Sequence, residues 1–235
     1  MLASSDCAAY WRLPDVTGSV AERAKTAFLE HWFGTKSEAR VRTLMGDMAL
    51  RFDAYPSAFR ALRAWRPAAS LAPWLCHTHL QLADPIYRRF TGDYLPGRIE
   101  FGYVSVDRDA VARWVSETWP GRWSPATCLK FGSNLLATAH EAGLIESRKD
   151  PRPLSAPRPP KLAFEYMFYL LRDVEISGGL LDSPYLRSVA PNSDATAEMF
   201  RRLDSVRLEG LGDVQNLNFS YPTLDEWVSA QRHAA

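Results

Sequence analysis

The feature that most constrains this chain is a succession of apolar runs at helical spacing, each preceded by a capping residue. Ser19 and Glu22 form a capping-box pattern, in which the hydroxyl accepts from an amide of the first turn and the carboxylate returns to the cap. Ser37 precedes a second run, and Thr223 and Glu226 repeat the capping-box pattern near the end of the sequence. These signals predict a mainly α-helical protein.

Three short stretches are predicted to depart from the helical pattern. Pro96 and Gly97 predict a turn, and residues 99–104 predict a short strand. Residues 206–219 carry apolar side chains on both sides of two glycines, which predicts a small hairpin.

Composition places the chain among soluble proteins. It has 235 residues, of which 46% are apolar and 23% charged, typical of one large or two small globular domains. No 18-residue apolar segment is present, and the first residues lack the pattern of a signal peptide, so we expect no membrane span and a cytoplasmic location. The widely spaced Cys7, Cys76 and Cys128 fit no disulfide framework, which favours a reducing compartment.

The net charge of +1 conceals a gradient along the chain. Residues 20–70 contain nine Lys and Arg against five Asp and Glu, a net charge of +4, and residues 105–161 contain nine against six, a net charge of +3. Residues 162–235 contain six against eleven, a net charge of −5. This gradient is compatible with a surface that binds a polyanion beside one that avoids it, and also with ordinary scatter of charge.

The segment from Ser124 to Ala142 is predicted to be an amphipathic helix. Ser124 supplies a capping oxygen, Pro125 suits the first helical position, and Gly143 suits the left-handed position after the last turn. At 100° per residue the chain separates an apolar arc from a small, polar and cationic one. The apolar arc consists of Cys128, Leu129, Phe131, Leu135, Leu136 and Ala139. The polar arc consists of Ala126, Thr127, Lys130, Ser133, Asn134 and Ala137.

The order of the predicted segments is that of a winged helix-turn-helix. A helix over residues 107–118 is followed by a tight break, by the helix after Ser124, and then by a basic, proline-rich stretch. In that module the second helix enters the major groove of DNA, where Lys can donate to guanine and Asn can pair with adenine. The amides at the start of the helix can hold a phosphate. Basic residues of the wing would contact phosphates, which position a protein without specifying sequence. The predicted DNA-binding residues are Ser124, Thr127, Lys130, Ser133, Asn134, Arg148, Lys149, Arg152, Arg158, Lys161, Arg40 and Arg42.

The predicted fold is therefore mainly α, with two helical lobes, one of them a winged helix-turn-helix-like module, and small β pieces. We expect an N-terminal extension over residues 1–17 and an N-terminal helical lobe over 18–100, with further basic surface from Arg60, Arg63 and Arg66. The winged-helix-like lobe would span 101–176, and an acidic helical and hairpin segment would span 177–235.

Several short motifs resemble the BrxA family of BREX bacteriophage-exclusion systems. They include Trp123-Ser-Pro-Ala-Thr127, Asn134-Leu-Leu and Glu141-Ala-Gly-Leu144. Asp84-Pro-Ile-Tyr-Arg-Arg-Phe90 and Phe168-Tyr-Leu-Leu-Arg172 are similar as well, so the resemblance covers roughly residues 18–190.

This resemblance implies a small, non-enzymatic, mostly helical cytoplasmic protein that binds double-stranded DNA within a phage-defence system. Its partners would be a methyltransferase, a phosphatase-like protein and an ATPase. The groove-facing helix would carry Thr127, Lys130 and Asn134. The proline content of the predicted wing departs from a regular hairpin, because proline cannot donate to a strand ladder.

Other functions stay open. The chain could be a scaffold that binds only proteins, or an RNA-binding helical module. Binding of duplex RNA would distinguish an RNA-binding module from a DNA reader, because a helix cannot enter the deep, narrow major groove of duplex RNA.

No nucleophile elbow, zinc-protease motif or phosphate-binding loop is present, so we predict no catalytic residue and no cofactor. Cys76, His77 and His79 lack a fourth metal ligand nearby, so no metal site is predicted and buried histidines are favoured. The aromatic run at 164–169 favours core packing over base stacking.

Overall fold

The computed structural model describes residues 1–13, 17–176, 179–211 and 214–233. The first helices are α1 (Ser4–Trp11), α2 (Val20–Leu29), α3 (Glu38–Met48), α4 (Pro56–Trp65), α5 (Ala72–Ala83), α6 (Pro85–Arg89) and α7 (Leu95–Glu100). The later helices are α8 (Arg108–Thr118), α9 (Pro125–Glu141), α10 (Lys161–Leu171), α11 (Pro184–Arg187), α12 (Ser193–Phe200) and α13 (Leu224–His233). The strands are β1 (Ser105–Val106), β2 (Arg152–Pro153), β3 (Val206–Leu211) and β4 (Val214–Phe219). Two π-helical turns, Ala49–Asp53 and Phe90–Tyr94, continue α3 and α6.

The mainly α fold with small β pieces is confirmed, and so are the caps that predict it. Ser19 Oγ accepts from the Glu22 amide at 3.2 Å, while Glu22 Oε2 accepts from the Ser19 amide at 2.7 Å. Ser37 caps α3, and Thr223 accepts from the amide of Glu226. These local bonds satisfy amides that have no partner within the helix, which is why the sequence marks the helix starts well.

The predicted hairpin is confirmed, but the predicted strand over residues 99–104 is wrong. β3 and β4 pair antiparallel, with Val206 opposite Phe219. Pro96 and Gly97 lie inside α7 instead of in a turn, because a proline at the start of a helix needs no amide hydrogen. The helix then carries Ile99, and the first strand begins only at Ser105.

The N-terminal extension contains a helix that was not predicted. α1 begins after Ala3, which has a φ of 56° and no side-chain cap. The cap comes from the far end of α9, where the Glu141 carboxylate accepts from the amides of Ala3 and Ser4 at 3.3 and 2.8 Å. Since this cap is 137 residues away from Ser4 along the chain, no local pattern announces the helix. Its side chains Cys7 and Trp11 are buried.

α10 is the central helix of the core. All its residues from Ala163 to Leu171 are buried, so the preference for core packing over base stacking is confirmed. Glu165 is buried among them, and its carboxylate accepts from the amides of Asp204 and Ser205 and from the indole of Trp227, at 2.7, 2.9 and 3.0 Å. These bonds tie the last third of the chain to α10.

One hydrophobic cluster contains buried residues from each of the four predicted segments, from Leu2 in the first to Trp227 in the last. A second tie crosses the predicted boundaries at Gly92, where a Cβ would lie 2.3 Å from the Pro184 carbonyl oxygen. The predicted boundary at residue 177 falls on 177–178, outside the described residues.

Within the described ranges, every helix is too short or too polar to cross a lipid bilayer.

Candidate nucleic-acid interface

α9 has the amphipathic character that the sequence predicts. Ser124 Oγ accepts from the Thr127 amide at 3.3 Å, and Gly143 follows the helix with a φ of 82°. Lys130, Ser133 and Asn134 are exposed, and Ser124 and Ala126 are exposed at the start of the helix, whereas Thr127 is half-buried. The opposite side packs into the core through Cys128, Leu135, Leu136 and Ala139. Leu129 alone departs from the predicted arc, since it is 38% exposed.

The start of α9 offers less to a phosphate than predicted. Pro125 has no amide hydrogen, the Thr127 amide donates to Ser124 Oγ, and the Cys128 amide donates to the Ser124 carbonyl at 3.0 Å. Among the first three helical residues, all described, the Ala126 amide is the one left for a ligand. The lysine and the polar side chains of the outer face would therefore supply most of the contacts.

The turn between α8 and α9 is held by a chain of aromatic rings. Trp119 contacts Trp123 with ring centroids 5.7 Å apart, and Trp123 contacts Phe131 of α9 at 4.7 Å. The guanidinium of Arg122 lies 4.8 Å from the centre of the Trp123 ring. Arg122 is exposed two residues before the α9 cap, so it adds a cation that the sequence interpretation overlooked. Its position in the break between two helices was the available signal.

α8 and α9 approach closely at Gly132. A Cβ there would lie 2.6 Å from the Arg108 carbonyl oxygen and 3.3 Å from Arg108 Cγ, so only glycine fits without a shift. This contact sets the Arg108 side chain, which is about half exposed, beside the middle of α9. Arg108 is a second cation near α9 that the sequence interpretation missed, because its position depends on the crossing of two helices.

A minimal strand pair stands where the wing of the module was expected. β1 precedes α8, β2 follows α9, and the two pair antiparallel with Val106 opposite Arg152. The Leu154 amide extends the pair by donating to the Val104 carbonyl at 2.9 Å. Between residues 142 and 160, all described, β2 is the only strand, so the regular hairpin of a wing is absent. The prolines of this segment explain the difference.

Asp150 anchors this segment to α8, and Arg152 is part of the anchor. The Asp150 carboxylate accepts from the Arg108 amide at 3.0 Å and from Arg152 Nε at 2.7 Å. Burial acts to raise the pKa of Asp150, but these bonds outweigh it and hold that pKa below its ordinary value. Arg152 is buried. Its prediction as a surface contact for DNA is therefore wrong, because too little of its side chain is exposed to reach a phosphate.

The remaining basic residues of the segment divide into two groups. Arg148 and Lys149 are exposed, in a turn where Ser147 Oγ accepts from the Lys149 amide at 3.0 Å. Arg158 and Lys161 lie instead against the acidic last third of the chain. Arg158 is exposed but lines a cavity of about 580 Å³ together with Asp194 and Glu198. Lys161 forms an ion pair with Asp204.

Arg40 and Arg42 lie on α3, which packs against α1 and α2. Arg40 is half-buried, with Nη2 3.1 Å from the Met1 sulfur. Arg42 is exposed and pairs with Glu38 one turn away at 2.8 Å. Such a surface pair contributes little to stability, so Arg42 can exchange its partner for a phosphate.

The histidines of α5 are buried and hydrogen-bonded. His77 contacts the hydroxyls of Tyr87 and Ser188, each at 3.0 Å. His79 contacts the Arg51 carbonyl at 3.1 Å and the Tyr166 hydroxyl at 2.8 Å. Burial lowers the pKa of His77 to about 3 and that of His79 to about 4. The described residues contain no group of three side chains placed to hold a metal ion.

Apolar side chains are exposed immediately before β1. Phe101 is 82% exposed and Val104 is 80% exposed. Tyr103 is partly covered by the Arg98 guanidinium, which lies 4.1 Å from the centre of its ring. Such neighbouring exposed apolar residues are more typical of a protein contact than of a phosphate-binding surface.

A scan of protein-family models gives no match to this chain, and a search of curated proteins gives none either. The resemblance to the BrxA family therefore stays a prediction.

Proposed function

We propose that this protein binds double-stranded DNA through the outer face of α9, as a non-enzymatic accessory protein of a BREX-like phage-defence system. The observation that carries the proposal is the exposure of Lys130, Ser133 and Asn134 on one side of a helix whose other side is anchored in the core. The order of β1, α8, α9 and β2 supports a winged helix-turn-helix-like module with a reduced wing.

The chemistry of this face suits the major groove. The Lys130 ammonium would donate to guanine O6 and N7, and the Asn134 amide would pair with adenine N6 and N7. Arg122, Arg108 and Lys149 would neutralise phosphates on either side, which supplies affinity and little specificity. Four to six neutralised phosphates would make the logarithm of affinity fall with the logarithm of salt with a slope of about −4 to −5.

Fluorescence anisotropy with a labelled DNA duplex across a range of salt concentrations tests the proposal. We expect Lys130→Gln to weaken binding most on sequences whose guanine it contacts. Lys149→Gln should reduce the salt slope by about 1, because it removes one phosphate-facing cation. Asn134→Ala should lower the preference between sequences by about 1–3 kcal/mol while changing the slope little. Lys25→Gln, an exposed change on α2, is the matched control. A flat salt response, or equal losses in Lys25→Gln and Lys130→Gln, would contradict DNA binding by α9.

The protein-only scaffold is a second candidate because of the exposed Phe101 and Val104. It predicts that Lys130→Gln leaves assembly with the methyltransferase, phosphatase-like protein or ATPase intact, whereas Phe101→Ser with Val104→Ser abolishes it. Pull-down from nuclease-treated and untreated cells separates the two functions. Recovery of partners that survives nuclease and fails only in the Phe101 and Val104 variant favours the scaffold.

A further inference from the structure

Five aromatic rings form a continuous series next to the proposed DNA-binding helix. The series runs from Tyr94 to Trp114 of α8, then to Trp119 and Trp123 in the break, and ends at Phe131 of α9. Successive ring centroids are 4.9, 5.6, 5.7 and 4.7 Å apart. All five side chains are half-buried, so each keeps some contact with solvent. These five residues form the aromatic track.

Guanidinium groups lie against two rings of the aromatic track. The Arg89 guanidinium is 5.5 Å from the centre of the Trp119 ring, and that of Arg122 is 4.8 Å from the centre of the Trp123 ring. Both arginines are exposed. A flat ligand can therefore stack on each guanidinium from the side away from the tryptophan, while the ring supports it from behind.

The charge beside the aromatic track is positive. Residues 110–140 contain Arg113, Arg122 and Lys130 against one carboxylate, that of Glu117. Arg89, Arg113 and Arg122 are exposed and form no ion pair among the residues that the structure describes. Their charges are thus available to a ligand in solution.

The Tyr94 end of the track also lies near cations. Burial raises the pKa of Tyr94, whereas the charges of Arg98 and Arg113 act to lower it, so both guanidinium groups lie near this ring. Asp107 acts in the opposite sense, but its carboxylate already accepts from the Ala110 amide at 2.7 Å as the cap of α8.

We infer that the aromatic track binds single-stranded DNA, with unpaired bases stacked on its rings and guanidinium groups and with phosphates near Arg89 and Arg113. Every base has a flat face that can stack on an aromatic side chain, and in a duplex those faces are covered by neighbouring bases. The positive charge favours a polyanion over a second copy of this nearly neutral chain. The choice of DNA over RNA rests on the proposed function, because Trp123 and Phe131 adjoin the proposed DNA-binding face of α9.

Fluorescence anisotropy of the full chain with a labelled single-stranded oligothymidylate tests the inference. Arg89→Gln should weaken binding by about 10-fold, because it removes both a stacking surface and a cation. Arg89→Lys should keep the salt slope and still lose affinity, because an ammonium group has no flat face. Glu117→Gln should tighten binding, since it removes a charge that repels phosphate. Arg207→Gln, an exposed change on β3, is the matched control, and circular dichroism verifies that each variant is folded.

Tryptophan fluorescence tests stacking separately from charge. Saturating oligothymidylate should quench the emission of the protein, because bases would lie against the supported guanidinium groups and tryptophan rings. Trp119→Phe should reduce this quenching more than it reduces affinity, since phenylalanine keeps a ring under Arg89. Binding without any quenching would contradict stacking on the aromatic track.

Two comparisons separate this surface from the outer face of α9. Arg89→Gln should leave the binding of duplex DNA unchanged, and Lys130→Gln should leave the binding of the single strand unchanged. Loss of duplex binding alone would therefore count against the proposed function and not against the aromatic track. No binding of oligothymidylate at low salt, equal losses in Arg89→Gln and Arg207→Gln, wild-type affinity in Arg89→Lys, or tighter binding of oligouridylate would each overturn the inference.

Discussion

At the scale of single residues, the buried histidines of α5 make the stability of the protein depend on pH. Unfolded histidine takes up a proton near pH 6.5, whereas burial holds the pKa of His77 at about 3 and that of His79 at about 4. At pH values between the lowered pKa of each folded histidine and the unfolded value of about 6.5, the unfolded chain binds more protons than the folded protein. Stability is therefore fully present above about pH 6.5 and is lost as the pH falls.

We expect the free energy of unfolding to decrease from pH 7 to pH 4, with each histidine contributing up to about 1.4 kcal/mol per pH unit. His77→Gln removes one titrating group, so its stability should fall less steeply with pH even if it is lower at neutral pH. Urea unfolding at several pH values measures the slope. Ala39→Gln, an exposed change on α3 that adds and removes no titrating group, is the control and should keep the wild-type slope. An unchanged slope in His77→Gln would contradict the assignment.

At the scale of elements, the crossing of α8 and α9 depends on Gly132. Alanine is the better helix former by about 1 kcal/mol. At Gly132, however, the added Cβ would meet the Arg108 carbonyl oxygen at 2.6 Å, and overpacking of this kind costs about 1–3 kcal/mol. At Gly46, within α3, no described atom beyond its chain neighbours and the backbone of the helix itself lies within 4 Å of an added Cβ.

We therefore expect opposite effects from two chemically identical substitutions. Gly132→Ala should lower the free energy of unfolding and weaken DNA binding, because α8 and α9 must separate. Gly46→Ala should raise the free energy of unfolding by up to about 1 kcal/mol. Urea unfolding and DNA anisotropy on both variants measure the difference. Equal stabilisation by the two alanines would show that the contact between α8 and α9 at Gly132 has room for a methyl group.

The elements that the sequence predicts are those whose signals are local. The caps at Ser19, Ser37 and Ser124 act within one turn, and the two faces of α9 follow from its own periodicity. α1 was missed because its cap is the distant Glu141 carboxylate, and Arg152 was misplaced because its pairing opposite Val106 of β1 buries it. Such contacts depend on tertiary packing, which the local pattern does not contain.

At the scale of the whole molecule, the predicted lobes share their interior. Buried residues from α1 to α13 form one hydrophobic cluster, and the Glu165 carboxylate bonds α10 to residues 204, 205 and 227. Stability should consequently be a property of the full chain, since loss of any one segment exposes the apolar surface of the others.

We expect unfolding in urea to occur in one transition. The helical signal from circular dichroism and the fluorescence of the tryptophans, which lie from Trp11 to Trp227, should give the same midpoint. Hydrogen exchange should likewise protect the amides of α1 and α10 to a similar degree. Two separate midpoints, or rapid exchange confined to α1, would indicate that the predicted segments fold independently.

The absence of a side chain at Gly132 also bears on how the molecule meets a partner. Two helices in backbone contact have little room to slide past each other, so the surface that they present is already shaped before an encounter. Association would then immobilise mainly long, exposed side chains such as that of Lys130, and the loss of freedom that opposes complex formation would be confined to them.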